Sequence, residues 1–281
     1  MENHLIFSHY QTRALLEEAA SETMLSLDLG LTSSPVKRVA NGWQILNGQV
    51  LTFDHICTIN ENENGCFILN GGEIKKVEVF SPITNRYYSL YPTEKAPTML
   101  ISGIPMHRIK DTTPDRDTIQ KIKALGKPYG RILDTAMGLG YTAIQAAQTA
   151  QNVITIEFDP AVLTISRLNP WSRQLFSNQK ITKLIGDSYD LVLGFADGSI
   201  NAIIHDPPTF NLAGHLYSQS IYQDFYRILR ARGRLFHYIG DPNSRTGAST
   251  TRGVVSRLRN AGFIVSPKPK AFGVLAEKHS A

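Results

Sequence analysis

Four short apolar runs in the second half of this chain each lead into an acidic residue. Arg131-Ile132-Leu133 runs into Asp134, and Val153-Ile154-Thr155-Ile156 into Glu157. Ile181–Ile185 is followed by Gly186-Asp187, and Ile200–His205 by Asp206. Between the first two lies an alanine-rich stretch, residues 141–150, with strong helix propensity. Strand and helix in alternation imply a parallel sheet. Further strands are predicted at 234–238, 263–265 and 271–276, making seven. Open sheets of this kind bind ligands outside the carboxyl ends of their strands, where these acids fall.

The first strand passes straight into Asp134-Thr135-Ala136-Met137-Gly138-Leu139-Gly140. Gly138 and Gly140 allow a tight turn and close backbone approach to a ligand, and the next helix points its positive end at that turn. From Ala136 the turn reads Ala-x-Gly-x-Gly-Tyr, not the Gly-x-Gly-x-x-Gly of pyrophosphate binders, and no Gly-Lys-Ser/Thr follows. Glu157, at the end of the second strand, stands where ribose hydroxyls find an acceptor in such sheets.

The fourth strand ends in Asp206-Pro207-Pro208-Thr209-Phe210. Two prolines fix φ and remove two N–H donors, leaving a rigid, non-helical loop. A carboxylate, free carbonyls and an aromatic ring there suit a planar ring held by its amino edge.

Together these residues resemble class I S-adenosylmethionine-dependent methyltransferases, over about residues 105–281. Asp134 through Gly140 is similar to that family's first motif, with Ala136 in place of a glycine, so Ala136 should avoid positive φ. The Asp206-Pro207-Pro208 loop resembles the motif of its amino-group methyltransferases, with Thr209 inserted before Phe210. The wording Asp-Pro-Pro-Thr-Phe also resembles RNA guanine methyltransferases, and the whole, including Asn169-Pro170-Trp171-Ser172, resembles uncharacterised archaeal and cyanobacterial methyltransferases.

The resemblance implies an α/β, Rossmann-like sheet of seven mostly parallel strands, the last antiparallel, with helices on both faces. It implies S-adenosyl-L-methionine as cofactor, held by Asp134, Ala136, Gly138, Gly140, Tyr141, Glu157, Phe158, Asp187, Ser188 and Asp206. Asp187 would take the adenine amine, although Asp187-Ser188 also reads as a helix N-cap. For catalysis it implies Asp206, Pro207, Pro208 and Phe210: Asp206 and the Pro207 carbonyl accept from the target nitrogen, and Phe210 stacks on the ring.

Ahead of this domain, residues 1–100 are expected to form a helix over 8–26 and then a β-rich accessory domain, with 101–281 the methyltransferase domain. Ser8-His9-Tyr10-Gln11 has capping-box spacing. Asn47-Gly48 suits a type I′ hairpin turn between 43–46 and 49–53. Tyr87, Tyr88 and Tyr91 either stack on bases or pack one strand face. Cys57 and Cys66 are expected to be small core residues. Thr113 is the expected N-cap of a helix with Pro114 at its first position.

A net charge of +5 is compatible with RNA. The cations gather late, around Arg227, Arg230, Arg232 and Arg234, then Arg252, Arg257, Arg259, Lys268 and Lys270. They either meet phosphates, with Arg252 and Arg257 foremost, or form a solvated face. His215, Tyr217 and Tyr222 are expected at the substrate mouth, with His237 and Tyr238 on its rim, and His205 as a buried structural residue. No metal site is expected. No apolar run reaches about 20 residues, and the start has no signal-peptide pattern, so a cytoplasmic enzyme is expected. An RNA base nitrogen is the favoured acceptor. A small metabolite or protein, or aminopropyl transfer on the same scaffold, is the alternative.

Overall fold

The structure, a computed structural model, describes residues 4–45, 48–241 and 244–279. Two compact units form: Met1–Asp115 with Ala161–Arg173, and Arg116–Pro160 with Gln174–Ala281.

The second unit carries the seven strands. They are β1 (Arg131–Asp134), β2 (Asn152–Glu157), β3 (Ile181–Ile185), β4 (Ile200–His205), β5 (Leu229–Tyr238), β6 (Ile264–Lys268) and β7 (Gly273–Glu277). Their order in the sheet is β3-β2-β1-β4-β5-β7-β6. β1 to β5 run parallel, and β7 is antiparallel to both neighbours. This is the Rossmann-like arrangement expected, and β1 and β4, side by side, carry Asp134 and Asp206 at the reversal of strand order. Successive residues Ile132 and Leu133, Ile203 and Ile204, and Leu235 and Phe236 are all buried. Both faces of the sheet are therefore covered, which is why these strands read as continuous apolar runs.

Four helices matter for the site: α1 (Pro114–Leu125), α2 (Tyr141–Ala147), α3 (Gln219–Ile228) and α4 (Arg245–Asn260). α3 buries Ile221, Tyr222, Phe225 and Ile228 along one stripe, in one core with Val254 and Leu258 of α4 and Leu133, Ile203 and Leu235 of the sheet. Thr113 precedes α1 as expected, but its buried hydroxyl makes no hydrogen bond.

Among its described residues the first unit holds three antiparallel sheets, two of which share a core around Trp43, Leu51, Ile56 and Ile59, a β-rich character that agrees with expectation. Three local expectations fail. The helix over 8–26 stops early: after the capping box, where Ser8 N–H donates to Gln11 Oε1 at 3.0 Å, only His9–Thr12 and a 3₁₀ turn, Arg13–Leu16, form. Glu22–Leu25 instead pairs with Ser34–Val39, so tertiary pairing overrides the alanine and leucine propensity. Second, Phe53 ends no strand but opens a helix, Phe53–Glu61, because Thr52 Oγ1 accepts from His55 N–H at 3.1 Å and caps it. Cys57 rides on that helix and is exposed rather than core, whereas Cys66 is buried and burial pushes its thiol up. The Gly42–Gln44 and Val50–Thr52 strands do pair as a hairpin; Asn47 of its turn lies outside the described residues. Tyr88 is buried and packs the inner strand face, while Tyr87 is exposed with its ring 5.0 Å from Phe80.

Gly140 gives a direct test of the turn. Its φ is +77°, and a Cβ there would lie 2.7 Å from the Leu175 side chain. Gly140→Ala is expected to cost about 2–4 kcal/mol, summing a left-handed alanine and local overpacking. Urea denaturation measures it, and a loss below about 0.5 kcal/mol would show that the turn relaxes freely.

Candidate active site

The glycine turn and Glu157 come together as expected. Gly138 N–H donates to Glu157 Oε2 at 3.0 Å, and Asp159 N–H to Oε1 at 3.1 Å. These donors pull against burial, which pushes the Glu157 carboxyl up to about 7. Gly138 has φ +51° and open space where a side chain would stand, so a ligand can approach the backbone directly beside the carboxylate. Ala136 is not among the positive-φ residues, as its side chain requires.

Asp134 plays a different part. Wholly buried, it takes Thr155 and Thr142 hydroxyls on Oδ2 at 2.8 and 3.2 Å, and its Oδ1 has no hydrogen-bond partner. Burial pushes this carboxyl up to about 7, with Asp206 and Glu157 adding repulsion. Asp134, on the strand between the other two, thus feels both acids. Tyr141, next along, is buried at the start of α2, while Phe158 is exposed beside Glu157.

Asp187 caps a short helix, Ser188–Leu191, accepting from Tyr189 N–H at 2.8 Å. Its second oxygen lies 2.9 Å from His215 Nε2. His215, expected at the substrate mouth, is thus paired with the acid that the resemblance assigns to adenine. The Ser188 hydroxyl donates to the Thr135 carbonyl, and Thr135 Oγ1 meets His205 Nδ1 at 2.6 Å. His205 Nε2 reaches the Leu216 carbonyl at 2.8 Å. This buried histidine, held down to about 4 by burial, ties the glycine turn to the segment after the proline loop. It is structural, as expected.

Three expectations for the mouth and its rim are corrected. Tyr222 and His237 are fully buried and bond to each other at 2.9 Å, because the apolar stripe of α3 carries Tyr222 inward onto β5. Tyr217 is also buried, and its hydroxyl donates to the Pro208 carbonyl at 3.0 Å, so that carbonyl is occupied. Phe210 stays 52% exposed, its ring 5.5 Å from Tyr217, free on one face to meet a planar group.

Asp206 holds the feature that sequence reasoning missed. Its Oδ2 lies 2.6 Å from the ammonium of Lys121, which is also 2.9 Å from Asp117. Lys121 is buried on α1 with its Nζ 4.4 Å from the Tyr238 ring centre. Asp206 remains 16% exposed, and Lys121 takes only one of its oxygens.

The basic residues also sort differently. Arg227 is committed to Asp197, Asp224 and the Phe195 and Val192 carbonyls. Arg257 is half-buried and its charge acts on the buried Tyr222 hydroxyl, whereas Arg252 is exposed. Arg252→Glu should leave stability within about 0.5 kcal/mol, and Arg257→Glu should lower it by about 1–3 kcal/mol by setting a carboxylate in that half-buried place. Thermal denaturation of both variants checks this, and equal midpoints would return Arg257 to the solvated face. Among the described residues no helix is long and apolar enough to cross a membrane.

No protein-family model matches the chain. The uncharacterized protein MJ1233 of Methanocaldococcus jannaschii is 40% identical over 273 residues, covering 95% of this chain and 93% of that protein. The chain belongs to this protein's family. Among solved structures, spermidine synthase from Thermotoga maritima matches with a TM-score of 0.57 at 16% identity, over 75% of this chain and 76% of that one. MNMC2 from Aquifex aeolicus matches with a TM-score of 0.50 at 17% identity, over 69% and 71%. At these identities the likeness shows a shared fold.

Proposed function

We propose that this protein is an S-adenosylmethionine-dependent methyltransferase whose acceptor is an amino or ring nitrogen. The observation that carries the reading is Glu157 held by Gly138 beside open backbone, with the acid–proline loop of Asp206 at the same carboxyl-end edge of the sheet. The residues present fit the cofactor: an open approach at Gly138, a carboxylate at ribose position in Glu157, and Asp187 beyond it for the adenine amine. Phe158, exposed next to Glu157, would cover the ring.

When bound, the cofactor supplies an electrophilic methyl group on a sulfonium. The chain then needs alignment more than acid–base power. Asp206 accepts an N–H of the acceptor on the oxygen that Lys121 leaves free, turning the nitrogen lone pair toward the cofactor. Pro207 and Pro208 hold that carboxylate rigid, with Pro208 pinned by Tyr217, and Phe210 offers its open face to the acceptor. Asp134 and His205, both buried, brace the turn from behind.

An RNA base and a small amine are both nitrogen acceptors of this kind. An RNA substrate would show affinity falling with salt, with a slope of about −0.7 per phosphate neutralised. A second reading, aminopropyl transfer from the decarboxylated nucleoside, is favoured by the likeness to spermidine synthase, which covers more of the chain than the second unit holds.

The deciding experiment incubates the protein with methyl-tritiated S-adenosylmethionine and with propyl-labelled decarboxylated nucleoside, each against RNA, protein and small-amine fractions. Methyl label in any nitrogen-bearing acceptor supports the first reading. Propyl label alone supports the second. Absence of binding to either nucleoside by calorimetry would overturn both.

A further inference from the structure

Lys121 is the charged side chain that the proposed chemistry leaves unexplained. Its ammonium lies within 2.6 Å of Asp206 and 2.9 Å of Asp117, and 4.4 Å from the centre of the Tyr238 ring. Lys121 and Asp117 are buried at 2% and 0%, while Asp206 keeps a 16% opening. A lysine that serves only a helix would snorkel its head to water. This one is turned wholly inward, onto the loop after β4, 85 positions along the chain. Asp117, one turn back on α1, anchors the ammonium from behind. The three charges sum to one negative, and only Asp206 presents it outward.

We infer that Lys121 is a positioning residue for transfer: it holds Asp206 ionised with one oxygen outward, and Asp117 limits how strongly it does so. This rests on the transferase reading of Asp206. The physics is a competition. Burial pushes the Asp206 carboxyl up and Lys121 pulls it down, while Asp117 pushes it up again. Burial likewise opposes the ammonium, but Asp206 and Asp117 together hold it above its ordinary range. Other groups facing the cluster are Asp134 from β1, Tyr217 before α3 and Tyr238 on β5. His205, adjacent in sequence, is held neutral at ordinary pH by its burial. Lys121 is therefore the cation that Asp206 depends on.

Two substitutions from the same pocket should act in opposite directions. Lys121→Met keeps the length and removes the charge, so Asp206 stays protonated to higher pH. Asp117→Asn removes the competing carboxylate, so Asp206 ionises at lower pH. In protein labelled with ¹³C at aspartate carboxyls, with the Asp206 signal assigned by Asp206→Asn, the titration midpoint should rise by about one pH unit or more in Lys121→Met and fall in Asp117→Asn. The acid limb of kcat/KM for the acceptor should move the same way, with KM for the cofactor unchanged. A purely structural ion pair would move the carboxyl midpoints too but leave the acid limb of kcat/KM where it was, and that outcome overturns the positioning role.

If Lys121→Met does not fold, Asp117→Asn decides alone: an unmoved or raised Asp206 midpoint overturns the inference. Midpoints moving together in both variants overturn it as well. The carboxyl titration needs no turnover. Opposed midpoints in a protein that transfers no group would keep the charge relation and sink the transferase reading instead.

Discussion

Asp206→Ala is expected to lower turnover by about 10²–10⁴-fold while leaving cofactor affinity within about threefold. Glu157 and the glycine turn, which the ribose would meet, bond each other rather than Asp206, so the loss belongs to the step in which the acceptor nitrogen must be aimed. An interaction made mainly in the transition state lowers kcat and kcat/KM together. The fold should survive, because Lys121 keeps Asp117 as a partner at 2.9 Å. Asp206→Asn is the finer probe: it keeps the shape and retains one acceptor oxygen but gives Lys121 no charge to pair with. Single-turnover transfer and cofactor calorimetry on both variants separate the two effects. A variant that binds cofactor normally and transfers at the wild-type rate would remove Asp206 from the mechanism.

Much of this site was legible because its framework obeys simple rules. Strands β1 and β4 bury successive residues on both faces, so they surface as uninterrupted apolar runs, and the acids that follow the four strands mark where those runs end. Gly138 and Gly140 announce a turn that needs left-handed backbone, which both adopt. What stayed hidden depends on partners distant in the chain. Asp117 and Lys121, four apart on a helix, carry the spacing of an ordinary surface ion pair; only packing against Asp206 makes them part of the site. Arg257 reads as one more basic residue on an exposed helix, until Tyr222 is found turned inward beneath it. Glu22–Leu25 has the composition of a helix end and becomes a strand because Ser34–Val39 offers it a ladder. Nothing local to His215 tells that it would lie on Asp187, 28 positions away.

Cofactor affinity is expected to fall as pH drops below about 7, by up to tenfold per pH unit. Ribose hydroxyls donate, so they need Glu157 ionised. Burial pushes that carboxyl up to about 7 in the free protein, and hydrogen bonds from a ligand favour the ionised form and pull it down. Below about pH 7 binding must therefore expel a proton, and each further unit of acidity opposes it. Calorimetry from about pH 5.5 to about 8.5, in buffers of different ionisation enthalpy, reads the affinity and the proton release together. Glu157→Gln cannot titrate: it should bind about 1–3 kcal/mol more weakly at high pH, with the pH slope gone. Asp134 is also pushed up to about 7, so Asp134→Asn is the needed companion; if it, rather than Glu157→Gln, flattens the slope, the ribose assignment passes away from Glu157. Stability would be a poor substitute observable. Raised carboxyls contribute stability that is present below their unfolded values and lost as pH rises through about 7. The buried His205 and His237, pulled down by burial, contribute in the opposite sense, losing stability as pH falls below their unfolded value. The two effects oppose each other over the same range, whereas ligand binding singles out the carboxylate that the ribose touches.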